Sequence, residues 1–351
     1  MSDGISLLNL PIDDLDCVVN EVGPLWQLMR GQRLLLTGGT GFIGKWMLGT
    51  FLHANCKLGL GAEVVVLSRD PEEFQKKFPE LTGRSDIQWL KCDVRDLTPQ
   101  AVGECAFTIH AATDVVEKST PAEILDTCIS GTRRVLDAVK NEKSAQRMLL
   151  LSSGAVYGPI PPEVQWIDEG WSGAPDTVSP ASAYGEGKRV SELLCSIAAA
   201  SSPGLEVAIA RCFAFVGPHL PLDKHFAIGN FIGSAMRSEN IHIQGDGTPL
   251  RSYLYASDLA HWLWVMLFKA PSGRAYNVGG DETVSIGNLA SRVNRVLCGS
   301  GEVCIAQEPR PGVHPAPYVP SLARISKELG LVPLVNLDDA ILRTAAWAMQ
   351  K

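Results

Sequence analysis

Tyr184 and Lys188 stand four residues apart at the head of a stretch, Ala183 to about Ala200, whose apolar positions recur at helical spacing. A helix turns once in 3.6 residues, so the two side chains share a face. There the ammonium favours the tyrosinate and lowers a phenol pKa that is about 10 in isolation. Such a phenol can exchange a proton with a substrate hydroxyl. Ser153, in Ser152-Ser153-Gly154-Ala155-Val156-Tyr157-Gly158, can hydrogen-bond the same oxygen. Ser153, Tyr184 and Lys188 are therefore the candidate catalytic residues. The competing reading is a partly exposed helix face that carries a tyrosine and a lysine by chance.

Proton exchange of this kind accompanies hydride transfer, and the chain offers a place for a hydride carrier. Thr37-Gly38-Gly39-Thr40-Gly41-Phe42-Ile43-Gly44 follows the apolar run Leu34-Leu35-Leu36 and opens a helical stretch from Phe42 to Ala54. Glycines allow a tight turn and close approach of backbone amides to a pyrophosphate, whose charge a helix N-terminus favours. A second apolar run, Val64 to Leu67, follows at the distance the dinucleotide motif requires, about twenty residues on. Gly38, Thr40, Gly41, Phe42, Ile43 and Gly44 are accordingly candidate cofactor contacts.

The second run ends in Ser68-Arg69-Asp70, where a site for NAD usually places a carboxylate against the ribose 2'-hydroxyl. A guanidinium pairs with a 2'-phosphate, so Ser68 and Arg69 lean toward NADP. NAD with Asp70 on its ribose remains the alternative, as does a merely solvated Arg69. Ligands of open α/β sheets sit at the carboxyl ends of strands, which adds Asp93, Val94, Ala111, Ala112, Thr113 and Ser152 to the cofactor contacts, together with Tyr184 and Lys188. For the alanines, simple close packing is an equal alternative.

The elements that must position these residues alternate. Ile87 to Leu90, Phe107 to Ile109, Met148 to Leu151 and Val207 to Ala210 read as buried strands, with helices predicted over about 122–139 and 183–200. This rhythm predicts an α/β fold built on a doubly wound parallel sheet. Residues 1–30 form a short helical preface in which Leu15, Val18, Val19 and Val22 fall at helical spacing. A nucleotide-binding domain is expected over 31–211. A smaller substrate lobe follows over 212–351, with parts near 252–280 returning to the first domain. Ile241 to Ile243 and Val303 to Ile305 are candidate strands of that lobe.

With 351 residues, 46% of them hydrophobic, the chain can bury a large core without staples. A formal net charge of −7 and the lack of a basic run argue against nucleic acid. The acidic, broken start is unlike a secretory signal, and no stretch reaches the roughly 18–20 apolar residues of a membrane span. Nine cysteines without a Cys-x-x-Cys pair indicate neither a zinc site nor a disulfide framework, which points to a reducing cytoplasm and no metal.

Taken together, the chain resembles the extended short-chain dehydrogenase/reductases of the NAD-dependent epimerase/dehydratase type. The resemblance rests on Thr37 to Gly44, Ile109-His110-Ala111-Ala112, Gly131-Thr132, Leu151 to Gly158, Tyr184 to Lys188, Arg211 to Pro218, Gly245-Asp246-Gly247 and Arg251-Ser252-Tyr253, in family order. It implies a Rossmann-like doubly wound sheet with a smaller C-terminal α+β lobe, a nucleotide-diphosphate sugar as substrate, and a homodimer to which the helix beginning near Ala183 contributes. It also implies that Asn230 and Arg251 contact the diphosphate, and that Asp114 and Ala155 lie against the substrate. Arginine suits such a role because its fork pairs bidentately with phosphate oxygens.

Four positions depart from the family pattern. Gly154-Ala155 replaces the acidic residues that follow the catalytic hydroxyl in dehydratases and decarboxylases, and neither can act as acid or base. Cys128 and Ala214 stand where asparagines are usual; Asp114, Lys224, His219 and His225 are candidate replacements for the missing acid or base. An epimerase working at C4 is the favoured expectation. A ketoreductase using NADPH, an atypical dehydratase or decarboxylase, a small-molecule reductase and a non-catalytic dinucleotide-binding module are the alternatives.

Overall fold

The computed structural model describes residues 7–113, 119–139, 146–223, 226–310, 312 and 317–350. Asp114, Lys224 and His225 lie outside these residues. In chain order the first elements are α1 (Ile12–Val22), β1 (Arg33–Thr37), α2 (Phe42–Leu58), β2 (Glu63–Ser68), α3 (Pro71–Lys77), β3 (Ile87–Lys91), α4 (Pro99–Val102), β4 (Phe107–His110), α5 (Pro121–Val139), β5 (Gln146–Ser153), α6 (Ala183–Ser201) and β6 (Leu205–Cys212). Then come β7 (Phe215–Val216), α7 (Ala227–Met236), β8 (Ile241–Ile243), β9 (Leu250–Arg251), β10 (Leu254–Tyr255), α8 (Ala256–Lys269) and β11 (Arg274–Val278). The chain ends with β12 (Val284–Ser285), α9 (Ile286–Val296), β13 (Val303–Ile305), β14 (Pro317–Tyr318), α10 (Ala323–Leu329) and α11 (Leu337–Ala348).

Two compact units result. The first comprises residues 1–158, 173–211 and 260–276. Its seven-stranded sheet has the order β11-β6-β5-β4-β1-β2-β3, the doubly wound arrangement expected. β1 lies parallel to both β2 and β4, Leu35 opposite Val65 and Thr108. Strands covered on both faces read as continuous apolar runs, which is why Leu34, Leu35, Leu36, Val64, Val65 and Val66 are all fully buried. The seventh strand, β11, carries Arg274-Ala275-Tyr276-Asn277-Val278, too mixed in pattern to stand out as a strand.

Local sequence sets the helix ends. α2 stops at Gly59, which takes the left-handed conformation (φ 55°) and donates to Asn55 and Cys56 carbonyls. α3 begins with Pro71 and is capped by Asp70, whose carboxylate accepts the Glu73 amide at 3.0 Å. Leu15, Val18, Val19 and Val22 of α1 are buried, and Asp16 binds His53 and Lys57 of α2, each at 2.6 Å. Beyond α1, Trp26 is fully buried, its ring 4.7 Å from Trp264 and edge-on to Phe268. Residues 7–30 thus belong to the first unit's own core.

The second unit comprises residues 159–172, 212–259 and 277–351. Residues 159–172, inside the stretch read as the nucleotide-binding domain, cluster here: Asn277 donates to the Ile167 carbonyl at 2.8 Å and its amide to Glu169 at 2.9 Å. β8 and β13 pair in parallel, Ile241 opposite Val303 and Ile243 opposite Ile305. Among the described residues no helix is long and apolar enough to cross a membrane.

Candidate active site

The glycine turn between β1 and α2 is built around two close approaches. Gly38 has φ 71°, and a Cβ there would stand 2.7 Å from the Ala111 carbonyl group at the end of β4. At Gly44 a Cβ would fall 2.1 Å from the Gly38 oxygen, so only glycine lets the first turn of α2 lie against the loop. Gly41 is the N-cap and provides no side-chain cap. The amides of the first turn are therefore left for another acceptor.

Behind the turn lies a buried polar chain that the sequence did not disclose as such. Thr37 Oγ1 accepts the amides of Ala111 and Ala112, each at 3.2 Å, and meets His110 Nδ1 at 2.8 Å. With its acceptor capacity taken, Thr37 donates to Nδ1, and donor counting leaves the ring proton on Nε2, 3.1 Å from Thr132 Oγ1. Thr132 in turn donates to the Cys128 carbonyl at 2.6 Å. Burial, with the Lys188 charge adding to it, pushes the His110 pKa down to about 3. His110 is a neutral tie among β1, β4 and α5.

Lys188 and Tyr184 rise from the first turns of α6. Lys188 is 4% exposed, and its ammonium donates to Thr113 Oγ1 at 2.6 Å and to the Leu151 carbonyl at 2.8 Å. It lies 5.9 Å from the centroid of the half-buried Tyr184 ring. Ser153 is the last residue of β5, buried, and caps the turn that follows by accepting the Ala155 amide at 3.1 Å. The structure therefore gathers Ser153, Thr113, Tyr184 and Lys188 at the carboxyl ends of β4 and β5 and the start of α6. Cys128 is buried on α5; burial raises its thiol pKa, while the nearby Lys188 charge and then Thr113 pull it the other way.

Other predicted residues have specific local duties. Asp70 caps α3, and its own amide is bound by Ser68 Oγ at 3.2 Å, while Arg69 is exposed. Both oxygens of Asp93 are held by Arg95, at 2.9 and 3.0 Å, and those bonds keep its carboxyl below the usual range against the opposing effect of burial. Val94 points into the core at Gly131. Ser152 donates its hydroxyl to Glu192 at 2.5 Å. Ala155 lies half-buried in the turn after Ser153.

In the second unit, Asn230 sits on α7 with Oδ1 buried and without a hydrogen-bond partner among the described residues. Arg251 on β9 donates to the Leu250 carbonyl at 2.8 Å and stacks on Tyr318, 5.4 Å from the ring centroid. Its neighbour Tyr253 is pushed up to about 12 by burial, which outweighs the Arg251 charge. His219 packs edge-on against Trp347 at 4.8 Å, a core position rather than that of a mobile acid or base.

Glu192 and Arg211 were not singled out individually. The signal for Glu192 was its place one helical turn past Lys188, on the same face. It grips Arg211 with Nε at 3.0 Å and Nη2 at 2.7 Å. Burial opposes the Arg211 charge, but Glu192 and Tyr157 more than offset it, and the guanidinium pKa stands above its ordinary value.

Comparison with known proteins agrees with this architecture. UDP-glucuronic acid decarboxylase 1 of Xenopus tropicalis is 28% identical over 314 residues, spanning 89% of this chain and 71% of that protein. The dTDP-glucose 4,6-dehydratase of Streptomyces niveus is 28% identical over 325 residues, covering 90% of this chain and 92% of its own. Among solved structures, UDP-glucose 4-epimerase of Thermotoga maritima with UDP-glucose superposes with a TM-score of 0.73 at 20% identity, covering 91% of this chain and 99% of that one. Residues 34–279 match the NAD dependent epimerase/dehydratase family, and the chain accordingly belongs to that family and is one of its enzymes.

Proposed function

We propose that this enzyme is an NAD(P)-dependent nucleotide-sugar epimerase, or a closely related oxidoreductase, that works at a sugar carbon, C4 by preference. The observation that carries the reading is the Lys188 ammonium, buried and held by Thr113 and Leu151, beside the Tyr184 ring at the strand ends where Ser153 stands. Residues of the glycine turn fit a dinucleotide. The first turn of α2 has no side-chain cap, and a Cβ on Gly41 would have only the Gly38 oxygen nearby, at 3.4 Å. Gly38, Thr40, Gly41, Phe42, Ile43 and Gly44 would hold the diphosphate, and Ala111, Ala112 and Thr113 would pass beneath it.

When bound, NAD(P) supplies the hydride acceptor or donor. Tyr184 takes the proton of the sugar hydroxyl and returns it, Lys188 favours the phenolate through its charge, and Ser153 hydrogen-bonds the reacting oxygen. Gly154 and Ala155 add no acid or base, which suits a reaction that needs none beyond Tyr184. Arg69, exposed at the end of β2 beside an Asp70 that caps α3, supports NADP over NAD.

The substrate class is supported by the names of the relatives, which act on UDP-glucuronic acid and dTDP-glucose. Arg251 offers a stacked, oriented fork to a diphosphate, and the buried Asn230 Oδ1 offers an acceptor to a ligand donor. A reducing cytoplasm is the compartment proposed, because the nine cysteines include no Cys-x-x-Cys pair. Leu193 and Ile197, more than half exposed on α6, suit a homodimer through that helix.

A second reading, decarboxylation or dehydration, is favoured by those same relatives. Incubation of the chain with UDP-glucose, UDP-glucuronic acid and dTDP-glucose, with NAD or NADP, separates the cases by product NMR and cofactor recovery. Inversion at C4 with the cofactor unchanged supports epimerisation, loss of carbon dioxide or water supports the second reading, and stoichiometric oxidation of added NADPH by an added nucleotide-4-keto-sugar identifies a reductase. Failure to bind either dinucleotide or any nucleotide sugar overturns the proposal.

A further inference from the structure

The turn that presents Ser153 is tied at both ends to one ion pair. At its start, the Ser152 hydroxyl donates to Glu192 Oε1 at 2.5 Å. Glu192 takes the Arg211 fork, and the remaining Nη1 of Arg211 donates to Tyr157 OH at 3.0 Å, the guanidinium lying 4.9 Å from the Tyr157 ring centroid. Ser152 and Tyr157 bracket the turn of residues 153–156. The pair is enclosed: the side chains of Arg211 and Glu192 are 16% and 12% exposed.

The same helix touches the middle of the turn. Arg189 of α6 donates to the Val156 carbonyl at 3.2 Å, and a Cβ on Gly185 would stand 2.7 Å from the Ala155 oxygen. Ser153 Oγ is bound to the Ala155 amide, so its direction follows the turn. Tyr184, Lys188 and Glu192 all rise from α6, four residues apart.

We propose that Glu192 is a positioning residue: through Ser152, and through Arg211 to Tyr157, it fixes the turn that presents Ser153 relative to the helix that presents Tyr184 and Lys188. Glu192 touches none of the reacting atoms and moves no proton. It acts by register, and misplacement of a reacting group by about 1 Å can cost on the order of a hundredfold in rate. The kinetic consequence rests on the hydride-transfer reading above; the positioning itself does not.

Hydrogen exchange of the amides of residues 153–158 tests it in the full chain, for wild type, Ser152→Ala, Tyr157→Phe and Glu192→Gln. Glu192→Gln is expected to speed exchange there by about tenfold or more, the two single-contact variants by less, with the amides of residues 38–44 unchanged. Unaltered exchange over 153–158 in every variant that folds overturns the proposal, whatever the enzyme turns over. Ser152→Ala and Tyr157→Phe each leave the Glu192–Arg211 pair intact and carry the test should Glu192→Gln fail to fold.

On substrate, Glu192→Gln is expected to lower kcat by about 10- to 100-fold with cofactor Kd within about twofold of wild type. Added to Ser153→Ala it should cost no more than about a further twofold, because both changes disable one device. Losses that multiply overturn the proposal. A wild-type enzyme inert toward every nucleotide sugar, with exchange responding as expected, counts against the reaction and leaves the positioning role standing.

Discussion

A phenol passes protons only where its hydroxyl remains and its charged form is favoured, which makes Tyr184 and Lys188 separable. Tyr184→Phe is expected to lower turnover by about 10²- to 10⁴-fold while cofactor affinity, measured by titration, stays near wild type. Lys188→Ala should weaken both, because its ammonium organises Thr113 and the end of β5 as well as Tyr184. At the end of β2, Ser68→Asp with Arg69→Asn should move the NADP to NAD affinity ratio toward NAD, and an unmoved ratio refutes the proposed 2'-phosphate contact. His110 acts at the same scale through stability. Its pKa falls from 6.5 to about 3 on folding, so its contribution is complete above about pH 6.5 and declines as the pH drops toward 3, by roughly 1.4 kcal/mol per unit. Urea midpoints should therefore fall more steeply from pH 6 to pH 4 in wild type than in His110→Asn, and equal slopes would refute the assignment.

At the scale of elements, the β1–α2 turn and the α5–α6 pair bring distant residues to one place. Gly44→Ala drives a methyl into the Gly38 oxygen and must part helix from loop, with an expected loss of about 1–3 kcal/mol in denaturant unfolding. Because the same amides face the proposed diphosphate, NAD(P) affinity should fall with it; stability lost at full affinity would argue that the cofactor sits elsewhere. α6 carries Tyr184, Lys188, Ser191 and Glu192. Ser191 Oγ lies 3.0 Å from Thr132 Oγ1 and 2.9 Å from the Cys128 carbonyl, joining this helix to α5. One helix thus carries the proposed proton-handling groups beside two neighbouring strands.

At the scale of the molecule, each unit is assembled from three segments of chain, and the N-terminal residues complete the first. Trp26, fully buried against Trp264 and Phe268, is expected to contribute about 3–5 kcal/mol, read as a lowered melting temperature in Trp26→Ala. An unchanged melting temperature would show that residues 7–30 are an appendage. Saturating dinucleotide should stabilise by mass action, about 2.7 kcal/mol at one hundred times its Kd.

Much of this was legible in order along the chain. Apolar runs at Leu34 to Leu36 and Val64 to Leu67, glycines between strand and helix, and Tyr184 four residues before Lys188 are short-range patterns, so sequence by itself determined six of the sheet's seven strands, its leading helices and the helical pairing of Tyr184 with Lys188. That Asp70 caps α3 and that Ser152 binds Glu192 was not legible, because partners distant in the chain or set by local backbone geometry choose what a side chain holds. The Thr37–His110–Thr132 chain, the Glu192–Arg211 pair and the joining of residues 159–172 to the second unit depend on residues 19 to more than 100 positions apart. Only tertiary structure decided these, since polar groups that distant become neighbours when burial of apolar runs denies them water and makes them satisfy one another.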